Sequence, residues 1–136
     1  RHMTTQDKIA AFLAAPLFAV AGASNDPDKF GYRCFVALKN SGRRVHPLNP
    51  RTPEIAGQPA FASIREIPGQ VVALSVVTPP SITERIVEEA IATGVRWVWM
   101  QPGAESQAAI ARAEQAGLQV IAGGPCVLVE LAKLRA

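Results

Sequence analysis

The sequence predicts one α/β domain in which a doubly wound, five-stranded and mainly parallel sheet carries helices on both faces. Three observations lead to this fold class. Strand-like and helix-like segments alternate along the 136 residues. Helix-like segments that end at Gly42, Gly94 and Gly117 run directly into β-rich segments, as expected when glycine ends a helix before a strand. Finally, Val71 to Val77 is almost continuously apolar, which is typical of a strand covered on both faces.

The first two predicted elements are a helix at about Thr5 to Ala15 and a strand at Leu17 to Ala21. Within this region Ile9 to Ala23 is almost wholly apolar and resembles the hydrophobic part of a signal peptide. Pro16 interrupts the stretch, which is also shorter than the roughly 18 apolar residues that a membrane span requires. We therefore predict a helix followed by a strand, and no membrane segment.

The later elements repeat the same order of strand and helix. The other predicted strands are Arg44 to Leu48, Val71 to Val77, Arg96 to Met100 and Leu118 to Ala122. The other predicted helices are Tyr32 to Asn40, Ser81 to just before Gly94, Glu105 to Ala116 and Val127 to Leu134, with a short turn at Ser63 to Glu66. The helix predicted from Ser81 carries two start signals, a capping box at Ser81-Ile82-Thr83-Glu84 and the preceding helix-initiating pair Pro79-Pro80. Prolines after each strand mark the carboxyl edge of the sheet, where such folds bind ligands.

Composition narrows the class of partner and the compartment. The formal net charge is +3, aromatic residues make up 6%, and no run of five like charges occurs, so we predict no nucleic-acid partner. The two cysteines lack metal-ligand spacing, which predicts no metal site, and such sparse cysteine usage favours the cytoplasm. We interpret residues 1–3 as an expression scar with the initiator methionine, and residues 4–136 as a single domain.

The loop after the first strand, Gly22 to Gly31, is the predicted anion site. Its small residues allow the backbone to approach a diphosphate, and the following helix offers unpaired N–H groups with partial positive charge. Lys29 adds a full positive charge. The loop matches neither the dinucleotide pattern G-x-G-x-x-G nor the P-loop pattern, so an ordinary strand-to-helix turn stays open as the alternative.

The end of the second strand differs from that of an NAD-binding domain. Such domains place an acidic residue there to hold the ribose hydroxyls, whereas this chain has Asn49-Pro50-Arg51. Arg51 is suited to an additional ribose phosphate, as found in NADP or coenzyme A (CoA). Arg43 or Arg44 could face the same phosphate, but the favoured interpretation of each is a solvated residue beside the strand.

Three motifs in this order, G-A-S-x-x-x-x-K-x-G from Gly22, L-N-P from Leu48 and T-P-P from Thr78, resemble those of small stand-alone CoA-binding proteins. These are similar to the CoA-binding domain of the succinyl-CoA synthetase alpha subunit, and the resemblance extends from about Asp7 to Leu134. It implies a Rossmann-like fold and CoA as the cofactor. It also implies a cofactor-binding set consisting of Gly22, Ala23, Ser24, Asn25, Lys29, Phe30, Gly31, Asn49, Pro50, Arg51, Thr78, Pro79, Pro80, Gln101 and Gly103.

No catalytic residue is predicted, so we expect a protein that binds CoA or acyl-CoA rather than an enzyme acting alone. Cys126 lies at the start of the last predicted helix, and its thiol is the candidate redox group. The alternative is that Cys126 is only a small buried side chain without redox chemistry. Cys34, Trp97 and Trp99 are interpreted as core residues. Two other functions stay open: an NADP-binding oxidoreductase or redox-sensing module, and a non-catalytic interaction module with a vestigial pocket.

Overall fold

A computed structural model describes residues 2–135, so that Arg1, the first residue of the expected scar, and Ala136 lie outside the described residues. The elements, numbered in chain order, are α1 (Thr5–Leu13), β1 (Phe18–Ala21), α2 (Phe30–Asn40), β2 (Val45–Leu48), β3 (Glu54–Ile55), β4 (Gln58–Pro59), a 3-10 turn (Ile64–Glu66), β5 (Ala73–Val76), α3 (Pro80–Ala92), β6 (Trp97–Met100), α4 (Gln107–Gln115), β7 (Gln119–Ile121) and α5 (Val127–Arg135). None of these described helices is long and apolar enough to cross a membrane.

The main sheet has the strand order β2-β1-β5-β6-β7, and every pairing in it is parallel. Side chains alternate between two cores. One core joins the sheet to α3, α4 and the 3-10 turn, and the other joins it to α1, α2 and α5. Central strands β1 and β5 are fully buried, as a sheet covered on both faces requires. The predicted fold class, a doubly wound parallel sheet with helices on both faces, is confirmed.

The order of the strands creates a crevice at the centre of the sheet. From β1 the chain passes through α2 to β2 on one side, and it later returns to β5 on the other side of β1. The connections therefore diverge at β1, which is a topological switch point. The loops that follow β1 and β5 separate at such a point and leave room for a ligand beyond the carboxyl ends of the strands.

A small hairpin, β3 paired antiparallel with β4, was not predicted from the sequence. It seals one end of the second core through Ile55, which is fully buried. The turn places Ala56 at φ 50°, a conformation that favours glycine, asparagine or aspartate. The side chain of Asn25 secures the hairpin: its Nδ2 donates to the carbonyl of Glu54, and its Oδ1 accepts from the amide of Ala56.

The predicted capping box at Ser81 is wrong. Helix α3 begins one residue earlier, at Pro80, and its N-cap residue Pro79 makes no side-chain capping bond. The fixed φ of proline suits the first helical position, so Ser81 falls inside the first turn instead of capping it. The two prolines therefore initiate the helix. A capping box occurs instead at α1, where the Thr4 hydroxyl accepts from the amide of Asp7 and the Asp7 carboxylate accepts from the amide of Thr4.

Candidate functional site

A cleft of about 970 Å³ opens over the carboxyl ends of β1, β2 and β5. It lies at the switch point and contains most of the predicted site. The predicted residues that line it are Gly22, Ala23, Ser24, Lys29, Phe30, Gly31, Asn49, Pro50, Arg51, Thr78 and Pro79. The structure thus brings together three loops that are far apart in sequence, one from each of these strands.

The floor of the cleft depends on two glycines. Gly22 has φ +88°, and a Cβ there would lie 3.1 Å from both the carbonyl of Val77 and the side chain of Thr78. A Cβ at Gly31 would collide with the carbonyl oxygen of Gly22. Because Gly31 belongs to the first turn of α2, this contact brings the start of the helix directly against the end of β1. Only two residues without side chains allow that approach.

The start of α2 has the properties of an anion site. Its N-cap residue, Lys29, makes no side-chain capping bond, so the first-turn amides of α2 keep their positive ends available toward the cleft. The loop before it is held by turns of its own: the amide of Asp26 donates to Ser24 Oγ at 3.0 Å, and the amide of Asp28 donates to Asp26 Oδ1 at 3.0 Å. Ser24 and Lys29 both line the cleft.

The wall from β2 is tied to this floor by Asn49. Its Nδ2 donates to the carbonyl of Ala23 at 2.9 Å, and its Oδ1 accepts from the amide of Arg51 at 2.8 Å. The Asn49 amide group is therefore occupied in joining the loops after β1 and β2. Arg51 itself is exposed, and its side chain contributes positive charge to the rim of the cleft.

Four predicted site residues do not line the cleft: Asn25, Pro80, Gln101 and Gly103. Asn25 holds the hairpin, and Pro80 begins α3. Gly103 is exposed in the loop after β6, where its amide donates to Glu105 Oε1. Gln101 is fully buried; its Nε2 donates to Ser75 Oγ at 3.2 Å, and its Oε1 accepts from the amide of Val127 at 2.9 Å. These contacts give Gln101 a structural position at the start of α5.

Helix α3 supplies a wall that the sequence analysis missed. One stripe of the helix lines the cleft at helical spacing, formed by Ile82, Arg85, Ile86 and Glu89. Ala62 and Ser63, which precede the 3-10 turn, lie at the same cleft. The periodicity of the two isoleucines was visible in the sequence, but it indicated only a core-facing helix. Arg85 sits on this stripe and adds a second exposed guanidinium to the lining.

The two cysteines, both free, differ in environment. Cys34 is fully buried in α2, as predicted, and burial raises the pKa of its thiol to about 12, with the nearby Cys126 adding to the rise. Cys126 is half-buried directly before α5. Trp99 fixes this segment, because its Nε1 donates to the carbonyl of Pro125 at 3.0 Å while its ring packs edge-on against Phe12.

We expect iodoacetamide at pH 8 to alkylate Cys126 in the folded protein and to leave Cys34 unmodified. At that pH Cys34 stays a protonated thiol, since its pKa is raised to about 12, and the thiolate is the reactive form. Peptide mass spectrometry after timed quenching measures both sites. In the matched control, Cys126→Ser, native labelling disappears and labelling of Cys34 appears only in denaturant. Equal labelling rates at the two cysteines in the native protein would contradict the assignment.

Comparison with known sequences identifies the family. Residues 17–132 match the model of the family described as CoA binding domain. The chain is 42% identical over 81 residues to the alpha subunit of an ADP-forming acetate–CoA ligase II of Pyrococcus furiosus. That match covers 59% of this chain but only 18% of the subunit. A smaller relative, the uncharacterized protein YneT of Bacillus subtilis, is 28% identical over 103 residues, which is 76% of each chain.

Solved structures agree with this assignment over nearly the whole chain. A hypothetical protein from Pyrococcus horikoshii superposes with a TM-score of 0.91 at 28% identity, covering 98% of this chain and 94% of the other. A protein from Thermus thermophilus gives a TM-score of 0.86 at 32% identity, covering 97% and 99%. The resemblance noted in the sequence motifs is confirmed, and the chain belongs to the CoA binding domain family.

Proposed function

We propose that this protein binds CoA or acyl-CoA in the cleft over β1, β2 and β5. The observation that carries the proposal is the uncapped start of α2, which opens onto a cleft of about 970 Å³ at the switch point of the sheet. Membership of the CoA binding domain family supports the choice of CoA among nucleotide ligands.

The residues of the loop fit a diphosphate. Because a Cβ at Gly31 would collide with the carbonyl oxygen of Gly22, the glycine allows the start of α2 to lie directly against the end of β1. A diphosphate seated there would meet the first-turn amides of α2 and the positive helix end, with Lys29 adding a full charge. Ser24 Oγ already accepts a hydrogen bond from Asp26, so its hydroxyl hydrogen is available to a phosphate oxygen.

The adenosine would extend from the diphosphate across the ends of β2 and β5. Pro50 on one side and Ile82 and Ile86 on the other provide apolar surface for a base. The pantetheine would leave the cleft in the opposite direction, toward solvent. We propose that this domain binds the ligand without a chemical step of its own. The two free cysteines fit a reducing compartment, and we propose the cytoplasm.

An NADP-binding redox module is the second candidate, and one observation favours it: Arg51, at the end of β2, stands where an NAD-binding domain has an acid. The two candidates share a ribose phosphate and differ in the rest of the ligand. A direct comparison of CoA, NADP and NAD therefore separates them.

We expect CoA to raise the thermal midpoint of unfolding more than NADP or NAD does. At a concentration 100 times its Kd, a ligand that binds only the folded state stabilises it by about 2.7 kcal/mol. For a domain of this size that corresponds to roughly 10 °C. Differential scanning fluorimetry across the three ligands measures this shift. Stabilisation by NADP alone would contradict CoA binding and favour the NADP-binding redox module. If none of the three ligands stabilises the protein, the remaining function is the non-catalytic interaction module with a vestigial pocket.

The same titration tests the loop through Lys29→Ala. We expect CoA affinity to fall about fivefold, because an exposed charge near a phosphate contributes modestly. The matched control is Lys39→Ala, which removes the same charge from the other end of α2, where Lys39 Nζ donates to the carbonyl of Ala56. Unchanged affinity in Lys29→Ala, or an equal loss in both variants, would remove Lys29 from the site.

A further inference from the structure

The two cysteines of the chain meet where α2 packs against α5. Helix α2 carries Cys34 on its buried side, and Cys126 directly precedes α5. The two helices are in contact, and the second core contains both Cys34 and Val127, the first residue of α5. The fold therefore brings together two thiols that are far apart in sequence.

Both chain neighbours of Cys126 are fixed by buried side chains. The Nε1 of Trp99 donates to the carbonyl of Pro125 at 3.0 Å, and the Oε1 of Gln101 accepts from the amide of Val127 at 2.9 Å. Trp99, Gln101 and Val127 are each fully buried. Cys126 is thus held over the second core, yet it is only half-buried itself, so its side chain keeps contact with solvent.

Cys34 has the opposite character. It is fully buried, and burial raises the pKa of its thiol to about 12, with the neighbouring Cys126 adding to the rise. The effect of Cys126 is electrostatic, so it requires the two sulfurs to lie near one another in the core. A buried, protonated thiol reacts poorly with an oxidant from solvent. Oxidation of Cys34 therefore has to pass through Cys126.

We propose that Cys34 and Cys126 are a peroxide-sensitive pair that closes reversibly into a disulfide, with Cys126 as the reacting thiol and Cys34 as the resolving thiol. This inference goes beyond the proposed function and does not depend on it. The disulfide would join α2, whose first turn opens onto the cleft, to the start of α5. The covalent link would lie one helical turn beyond Phe30, which lines the cleft.

The oxidant is hydrogen peroxide, and the reaction takes two steps. The Cys126 thiolate first attacks one oxygen of the peroxide: an S–O bond forms, the O–O bond breaks, and hydroxide leaves. The sulfur is now a sulfenic acid, and the peroxide has been reduced. The Cys34 sulfur then attacks the Cys126 sulfur: an S–S bond forms, the S–O bond breaks, and the hydroxyl group leaves with the thiol proton as water.

The test is treatment of the whole, desalted protein with a small excess of hydrogen peroxide, followed by thiol blocking and peptide mass spectrometry. We expect one monomeric product, lighter by two hydrogen atoms, in which the peptides of Cys34 and Cys126 are linked. Dithiothreitol should restore both thiols. Because the disulfide closes a long loop, we also expect the oxidised protein to unfold roughly 10 °C higher than the reduced protein.

Two single variants assign the order of the steps. In Cys126→Ser, peroxide should oxidise Cys34 at least about tenfold more slowly than in wild type, because burial shields the thiol. In Cys34→Ala, Cys126 should pass to the sulfinic acid or to a disulfide-linked dimer, since no second thiol in the chain captures the sulfenic acid. The first variant changes a half-buried position, so the test does not depend on whether the core variant folds.

Four results would overturn the proposal. One is oxidation of Cys126 in wild type while Cys34 stays a thiol, and another is a link that forms only in denaturant. A third is a linked product that unfolds no higher than the reduced protein, because the native positions of the two cysteines would then not accommodate the bond. The fourth is equally fast oxidation of Cys34 in wild type and in Cys126→Ser. None of these results bears on CoA binding, which the ligand titrations test separately.

Discussion

Replacing Gly31 by alanine is expected to destabilise the domain by about 3 kcal/mol, a large effect for the addition of one methyl group. The new Cβ would collide with the carbonyl oxygen of Gly22 and lie 3.0 Å from its carbonyl carbon. Both are backbone atoms, so no side-chain rotation relieves the overlap. Helix α2 must instead move away from the end of β1, which also withdraws its first-turn amides from the proposed diphosphate site. Urea unfolding and CoA titration of Gly31→Ala measure the two consequences.

Gly42→Ala provides the matched control at the other end of α2. A Cβ there meets nothing within 4 Å, but Gly42 has φ +87°, so only the backbone conformation is penalised. We expect a loss of about 1 kcal/mol and no change in CoA affinity. If Gly31→Ala is no more destabilising than Gly42→Ala, the close approach of α2 to β1 does not constrain the loop. If Gly31→Ala is more destabilising but retains full CoA affinity, the first-turn amides of α2 do not bind the diphosphate.

The strands of the main sheet and the helices that cover it could be predicted because the sequence patterns that indicate them are local. The apolar run around Val71 to Val77 and the glycines that end helices each report directly on the backbone. The hairpin could not be predicted, since its strands are two residues each and Ala56 occupies a turn position where asparagine or glycine is the usual signal. The start of α3 was mistaken because Pro80 and Ser81 gave competing start signals one residue apart.

The candidate site was predictable wherever topology alone places a loop. The loops after β1, β2 and β5 meet because carboxyl ends of parallel strands share one edge of the sheet. Arg85 was missed, since its position depends on how α3 packs and not on a strand end. Gln101 does follow a strand, yet strand alternation puts it on the face of Trp99, toward α5. Applying that alternation beyond the end of β6 would have indicated a buried side chain.

Gln101 leads to the second large expected effect. Gln101→Leu is expected to cost about 3 kcal/mol in urea unfolding, because it leaves the buried amide of Val127 without its acceptor and Ser75 without its donor. Leucine roughly preserves the volume, so the loss reports hydrogen bonding more than packing. A purely structural role predicts that the folded variant binds CoA within about twofold of wild type, a change under 0.5 kcal/mol. A large loss of CoA affinity with little loss of stability would instead indicate that Gln101 contacts the ligand.

The comparison with Ser75→Ala divides this effect between the two partners of Gln101. Ser75→Ala removes only the acceptor of Gln101 Nε2 and keeps the bond from Val127, so we expect a smaller loss of about 1 kcal/mol. In the double variant the hydroxyl and its donor disappear together, and neither is left unpaired. The double variant should therefore be more stable than the sum of the single losses implies, by about 1 kcal/mol. Strict additivity would mean that the buried bond between Ser75 and Gln101 does not support the fold, and that the cost of Gln101→Leu comes from the start of α5 alone.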